Sequence, residues 1–280
     1  MSTLPHPTTE AGAAGLSAIL ADPSGAVIAL DFDGTLSPIV ADPASARIHP
    51  FAPAALVELG RRTRAVVIVT GRPAALAISY GRSPGGLGLD DVPGLVVLGQ
   101  YGVERWESDV VTAPPPPEGV ARARRALPSV LAALGPSLRG VWVEDKGRAL
   151  AVHTRRTPDP QGSLETLRAP LVSLAAEHGL TVEPGRFVLE LRPTGTDKGD
   201  ALGAFLVEKS ARSVLFAGDD LGDLAAFAAV RGSGLPGVTV CSGSAEVTEL
   251  AKQADLVVDG PSGVVGLLSA LVAAIDGKST

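Results

Sequence analysis

The stretch Ala26-Val27-Ile28-Ala29-Leu30-Asp31-Phe32-Asp33-Gly34-Thr35-Leu36 decides the fold. Its first five residues form a short, continuous apolar run, which suits a strand buried on both faces of a parallel sheet. Asp31 then stands at the carboxyl end of that strand. The pattern recurs at 65–69 before Thr70, at 95–98 before Gly99 and at 214–217 before Gly218. Helical stretches such as 53–59 and 73–78 lie between the runs, giving the strand-helix alternation of a doubly wound α/β domain. In such sheets ligands bind at the carboxyl ends of the strands.

The alternation breaks between about residues 104 and 191. Four prolines at 114–117 read as a stiff polyproline spacer, and the segments after them look like an α+β unit with its own hairpins. The expected organisation is a core over 14–104 and 193–280, an inserted α+β domain over 105–192, and a loose N-terminal segment over 1–13, rich in Ser, Thr, Pro and Gly. The apolar stretch 264–275 is too short to span a membrane and reads as a C-terminal helix packed on the sheet. No internal repeat is evident.

Composition narrows the function classes. A chain of 280 residues with 45% hydrophobic content can bury a substantial core. A net charge of -6 and a pI near 5.3 argue against a nucleic-acid partner, which calls for clustered Lys and Arg. Aromatics make up 4%, so stacking platforms for bases are scarce. Cys241 is the only cysteine, which excludes an internal disulfide and a thiolate metal cluster. The N-terminus lacks a basic region followed by a long apolar core, and no membrane partner is expected, which places the protein in the cytoplasm.

Two acids two residues apart after a strand can be an ordinary turn, since Asp-Gly is a common turn dipeptide. Three further elements decide against it. Thr70-Gly71-Arg72 follows the second strand, Asp197-Lys198-Gly199 opens a later helix, and Gly218-Asp219-Asp220 with Asp223 follows another strand. In type, order and strand-end placement these residues resemble the four motifs of the haloacid dehalogenase superfamily of phosphohydrolases.

The resemblance implies a reaction with a physical rationale. A phosphomonoester dianion repels an anionic nucleophile, so a hard divalent cation, Mg2+, bridges the two. Asp31, the main-chain carbonyl of Asp33, and Asp219 are its implied ligands, with Asp220 and Asp223 acting directly or through water. Asp31 is the implied nucleophile, forming an aspartyl-phosphate. Asp33 protonates the leaving oxygen and then deprotonates the attacking water. Thr70, Gly71, the Gly34 amide and Lys198 bind the phosphate oxygens. Arg72 is assigned to substrate binding, with an ion-pair role as the alternative.

Substrate identity rests on the insert. Residues 142–153 read as two strands around a tight Gly147-Arg148 turn, with Lys146 opposite Ala149, Glu144 opposite Ala151 and Trp142 opposite His153. Period two then puts Glu144, Lys146, His153 and Arg155 on one face, and Glu190 is a lone acid in an apolar strand. Such a face is either the solvated side of a sheet or a surface for sugar hydroxyls. Here the sequence resembles the trehalose-6-phosphate phosphatases, over 31–38, 70–73, 99–104, 144–155, 190–198 and 218–227. In that family the Glu-x-Lys pair and the Glu before the Arg-Pro step bind the distal glucose, which falls on Glu144, Lys146 and Glu190. The inserted cap closes over the core to exclude water. Departures are Tyr101, where the family commonly has His, and Gly222 and Leu224, where it has Thr and an acid. The expected activity is hydrolysis of trehalose 6-phosphate, with functional coupling to a trehalose-phosphate synthase. Alternatives are a phosphatase of sucrose phosphate or mannosylphosphoglycerate and a catalytically silent sugar-phosphate-binding regulator.

Overall fold

The computed structural model describes residues 4–40, 42–83, 86–115, 117–135, 138–195, 197–243 and 248–278. The chain divides into two compact units, Met1–Ala113 with Asp197–Thr280, and Pro114–Thr196. The first unit begins with α1 (Glu10–Ala21), β1 (Ala26–Leu30), α2 (Ala52–Arg62), β2 (Ala65–Val69), α3 (Ala74–Tyr80) and β3 (Val96–Gly99). A hairpin of β4 (Glu104–Glu107) and β5 (Val110–Thr112) follows. The second unit holds α4 (Glu118–Ala133), β6 (Trp142–Asp145), β7 (Leu150–His153), α5 (Pro160–Glu177), β8 (Leu180–Gly185) and β9 (Val188–Pro193). The first unit resumes with α6 (Lys198–Glu208), β10 (Ser213–Gly218), α7 (Leu224–Gly232), β11 (Gly237–Gly243), α8 (Thr248–Gln253), β12 (Leu256–Asp259) and α9 (Gly260–Lys278).

The apolar runs become strands because both of their faces can be covered. Every residue of β1, β2 and β10 is buried. Alternation sends Ile28 and Leu30 into one layer with Leu56 of α2 and Leu268 and Leu271 of α9, and Val27 and Ala29 into the other with Phe205 of α6 and Phe227 of α7. The sheet order is β12-β11-β10-β1-β2-β3-β4-β5. Pairing is parallel from β12 to β3 and antiparallel through β4 and β5. The chain moves outward from β1 through β2 to β3, and after the insertion returns to β10 on the other side of β1. That reversal puts the topological switch point at the carboxyl ends of β1 and β10, where sheets of this kind bind ligands.

In the second unit, the sheet β6-β7-β9-β8 is antiparallel, and its apolar face, including Leu150, Val152, Leu189 and Leu191, packs on Val120 and Leu127 of α4 and Leu164 and Leu171 of α5. The hairpin register matches the sequence reading, with Trp142 opposite His153 and Glu144 opposite Ala151, and the Lys146 amide donates to Ala149 O at 3.0 Å.

Three expectations need correction. Residues 4–13 are not loose. Thr9 caps α1 by accepting from the Gly12 amide at 3.0 Å, and the Thr8 amide donates to Asp255 O at 2.8 Å. The insert does not start at 105, because Arg105, Trp106 and Glu107 pair with β3 and β5; the unit break falls at Pro114. The C-terminal helix is longer than 264–275. At 19 residues, α9 is long and apolar enough to cross a membrane, yet Val264, Leu267, Leu268, Leu271 and Ile275 are buried in the core. Of the proline run, Pro116 lies outside the described residues, and Pro117 precedes α4 as its N-cap.

Candidate active site

Asp31 leaves the end of β1 with its amide donating to Ala217 O at 2.8 Å, which ties it to β10. Its carboxylate is buried and meets Lys198 Nζ at 2.9 Å. Lys198 is the first residue of α6, whose N-cap Asp197 accepts from the Asp200 amide at 2.9 Å, so the helix start delivers the ammonium. Lys198 also donates to Asp223 Oδ1 at 2.7 Å. The other oxygen of Asp223 accepts from the amides of Asp219 at 2.9 Å and Asp220 at 3.2 Å. Asp223 therefore shapes the loop after β10 while holding Lys198. Asp220 is exposed and caps that turn, accepting from the Gly222 amide at 2.9 Å.

Oxygens of Asp31, Asp219 and Asp223 lie within 4.8 Å of one another, and all three residues are buried. Burial pushes the Asp31 carboxyl up to about 8; Lys198 opposes the rise, and Asp223, Asp220 and Asp33 add to it. Asp219 is raised well above its ordinary range by burial and then by Asp31 and Asp223. Burial works against the Lys198 charge, but Asp223 and Asp31 outweigh it and hold the ammonium charged. Three carboxylates around one ammonium leave a negative surplus in a dry place. An all-oxygen donor set with that surplus suits a hard divalent cation. Cys241, opposite Gly218 on β11, does not alter the donor set, since burial, Asp219 and Asp223 push its thiol up to about 11 and keep it neutral.

On the β2 side, Thr70 is buried, and its Oγ1 accepts from the Arg72 amide at 3.1 Å. That leaves its O–H to donate elsewhere. A Cβ on Gly71 would lie 2.8 Å from the Tyr101 hydroxyl, so a larger residue here would push that ring aside. Tyr101 belongs to a left-handed turn, with φ 48 at Gln100, 61 at Tyr101 and 94 at Gly102, held by Gln100 N to Arg72 O and Tyr101 N to Thr70 O. Such backbone persists only where its surroundings enforce it.

The assignment of the Gly34 amide changes. The Gly34 amide donates to Ser37 O at 2.7 Å, so it is committed to closing its own loop. What Gly34 supplies is φ +72 and the lack of a Cβ, which would collide with the Asp219 carboxylate. Among the described residues the amides of Phe32, Asp33 and Gly71 donate to no acceptor and are available to an anion. Arg72 takes the ion-pair alternative: it donates from Nε and Nη2 to the two oxygens of Asp33, both at 2.6 Å.

In the second unit, Glu144 Oε2 lies 3.0 Å from His153 Nε2, and Lys146 donates to Glu190 Oε2 at 2.5 Å. Register aligns Glu144, Ala151, Glu190 and Glu183 across the sheet, on the face away from α4 and α5. Trp142, which sequence reasoning left out of the site, stacks on His153 with centroids 3.9 Å apart. Arg155 does not follow the strand alternation. β7 ends at His153, the Thr157 amide turns back to Thr154 O at 2.8 Å, and the Arg155 guanidinium stands 5.5 Å over the Phe187 ring.

A family model described as trehalose-phosphatase matches residues 29–262. The chain belongs to the trehalose-phosphatase family. Within this family it is 31% identical over 227 residues to a protein of Sinorhizobium fredii named "Probable trehalose-phosphate phosphatase", covering 77% of this chain and 78% of that one. It is 36% identical over 229 residues to the trehalose-phosphate phosphatase of Mycobacterium avium, covering 75% of this chain. There the chain spans 52% of the relative's length. The C-terminal domain of the trehalose-6-phosphate phosphatase of C. albicans shares the fold, with a TM-score of 0.73 at 21% identity, covering 97% of this chain and 99% of that domain. The trehalose-phosphatase match runs from β1 into α9, so it takes in Asp31, Thr70, Glu144, Glu190, Lys198 and Asp219.

Proposed function

We propose that this protein hydrolyses trehalose 6-phosphate to trehalose and phosphate through an aspartyl-phosphate at Asp31, with Mg2+ as cofactor. The observation that carries the reading is the contact of buried Asp31 with Lys198 inside the acidic cluster at the end of β1. Asp31, the main-chain carbonyl of Asp33, and Asp219 would hold the ion, which when bound neutralises the charge of phosphate and nucleophile. Asp223 contributes chiefly by holding Lys198 and the loop amides, and Asp220 by capping the turn.

Asp31 attacks phosphorus as the bond to the sugar oxygen breaks, and Asp33 gives that oxygen a proton. Water then adds to phosphorus, loses a proton to Asp33, and the electron pair of the Asp31–phosphorus bond returns to the carboxylate. Lys198, the Thr70 hydroxyl and the amides of Phe32, Asp33 and Gly71 take the phosphate oxygens, where charge develops. Glu144, Lys146 and Glu190 take the hydroxyls of the distal glucose, with His153 and Trp142 beside them and Arg155 at the border. Ala151, between Glu144 and Glu190 in the register, leaves the two acids room for a sugar edge. Coupling to a trehalose-phosphate synthase, whose product is this substrate, and a cytoplasmic setting belong to the same proposal.

The test is phosphate release from a panel of sugar phosphates with Mg2+, with Asp31→Asn as control. Preferential turnover of trehalose 6-phosphate, abolished in Asp31→Asn, is expected. Preference for another sugar phosphate would keep the chemistry and discard the sugar assignment; absence of turnover on all of them would discard both.

A further inference from the structure

Arg72 has a more defined place than a substrate contact. Its two forks onto Asp33 form a bidentate pair, and Nη1 donates to Pro43 O at 3.2 Å. The guanidinium carbon stands 5.0 Å from the Tyr80 ring centroid and 5.8 Å from that of Phe32. Its amide is tied to Thr70 Oγ1. The Arg72 side chain is 10% exposed while that of Asp33 is 42% exposed. A carboxylate so open to solvent would rotate; the fork, fixed by its own packing, holds it in one direction.

We propose that Arg72 is a positioning residue for Asp33, an inference that rests on the acid/base role given to Asp33 above. The fork uses one lone pair on each Asp33 oxygen and leaves the other for a proton. In the first half of the reaction the leaving oxygen takes the electron pair of its bond to phosphorus together with the Asp33 proton. The carboxylate that remains faces Arg72, whose charge stabilises it. In the second half Asp33 takes a proton from water against that charge, so Arg72 acts on Asp33 in both halves through orientation and in the first through charge as well.

A double-mutant cycle tests this, using Arg72→Gln, Asp33→Asn and the double variant in the full chain with Mg2+ and trehalose 6-phosphate. Arg72→Gln is expected to lower kcat by roughly 10- to 100-fold, within the range of acid-base effects, with KM little changed. The double variant is expected to be no slower than Asp33→Asn alone. Multiplying losses would overturn the proposal, because Arg72 would then act apart from Asp33. A raised KM with unchanged kcat would return Arg72 to substrate binding. If Arg72→Gln fails to fold, Arg72→Lys, which keeps a charge and loses the fork, takes its place in the cycle, and the same two results overturn the proposal. Wild-type turnover by Asp33→Asn would be a different failure, removing the acid/base reading and this inference with it.

Discussion

Without a divalent cation, burial and mutual repulsion raise the Asp31 and Asp219 carboxyls above their ordinary values. The folded state thus binds the Asp31 proton more tightly than the unfolded chain, where the group titrates near 3.8. The stability linked to it is complete below that value and is lost as the pH rises through about 8. The metal-free protein should therefore show a thermal midpoint that falls between roughly pH 4 and 8 and levels off above that, and Mg2+ should restore more of it at the upper end. A Mg2+ effect that is flat with pH in thermal denaturation would count against the cation sitting on these carboxylates. The acids and Lys198 were legible in the sequence because each follows a strand or opens a helix, where side-chain direction is fixed. Gly34 and Arg72 were less so. The Gly34 amide is claimed by Ser37 O, and Arg72 by a carboxylate 39 positions earlier, and neither pairing leaves a periodic trace.

Elements, rather than single side chains, explain why residues 4–13, expected to be loose, are tied to the core, with α1 starting at Glu10. Asp255, fully buried before β12, accepts from the Thr239 amide at 2.8 Å on β11 and from Arg231 at 2.6 Å on α7, and its carboxylate also bonds the Thr9 hydroxyl at the start of α1. Burial raises its pKa, but Arg231, the Thr239 amide and Thr9 outweigh that and leave it below the ordinary value. Asp255→Ala strips several buried donors of their acceptor and should cost about 2–4 kcal/mol in denaturant unfolding. A change below about 0.5 kcal/mol would mean that α1 is held by packing alone. The strands β1 and β2 were readable to the residue because an apolar run buried on both faces has sharp ends. The α1 contact was not, because its partner lies more than 240 residues away.

At the scale of the whole molecule, the proposed function divides between the two units, with phosphate chemistry assigned to the first and sugar recognition to the second. The register of β6 and β7 was legible from the Gly147-Arg148 turn, whereas the pairing of Lys146 with Glu190 and the stack of Trp142 on His153 emerge only from the folded sheet. Glu190→Ala should lower turnover of trehalose 6-phosphate by roughly 10- to 100-fold, the loss expected for a charged hydrogen bond to a hydroxyl, while p-nitrophenyl phosphate hydrolysis stays within about twofold. Equal losses on both substrates would make Glu190 and Lys146 a structural pair. The central claim, phosphoryl transfer to Asp31 from the disaccharide phosphate, is tested most directly by trapping. The wild-type protein turning over trehalose 6-phosphate is quenched in acid and reduced with borohydride, which converts an aspartyl-phosphate to homoserine. Peptide mass spectrometry is expected to find homoserine at position 31; an unmodified Asp31 in protein that is releasing phosphate, or homoserine at another acid, would contradict it.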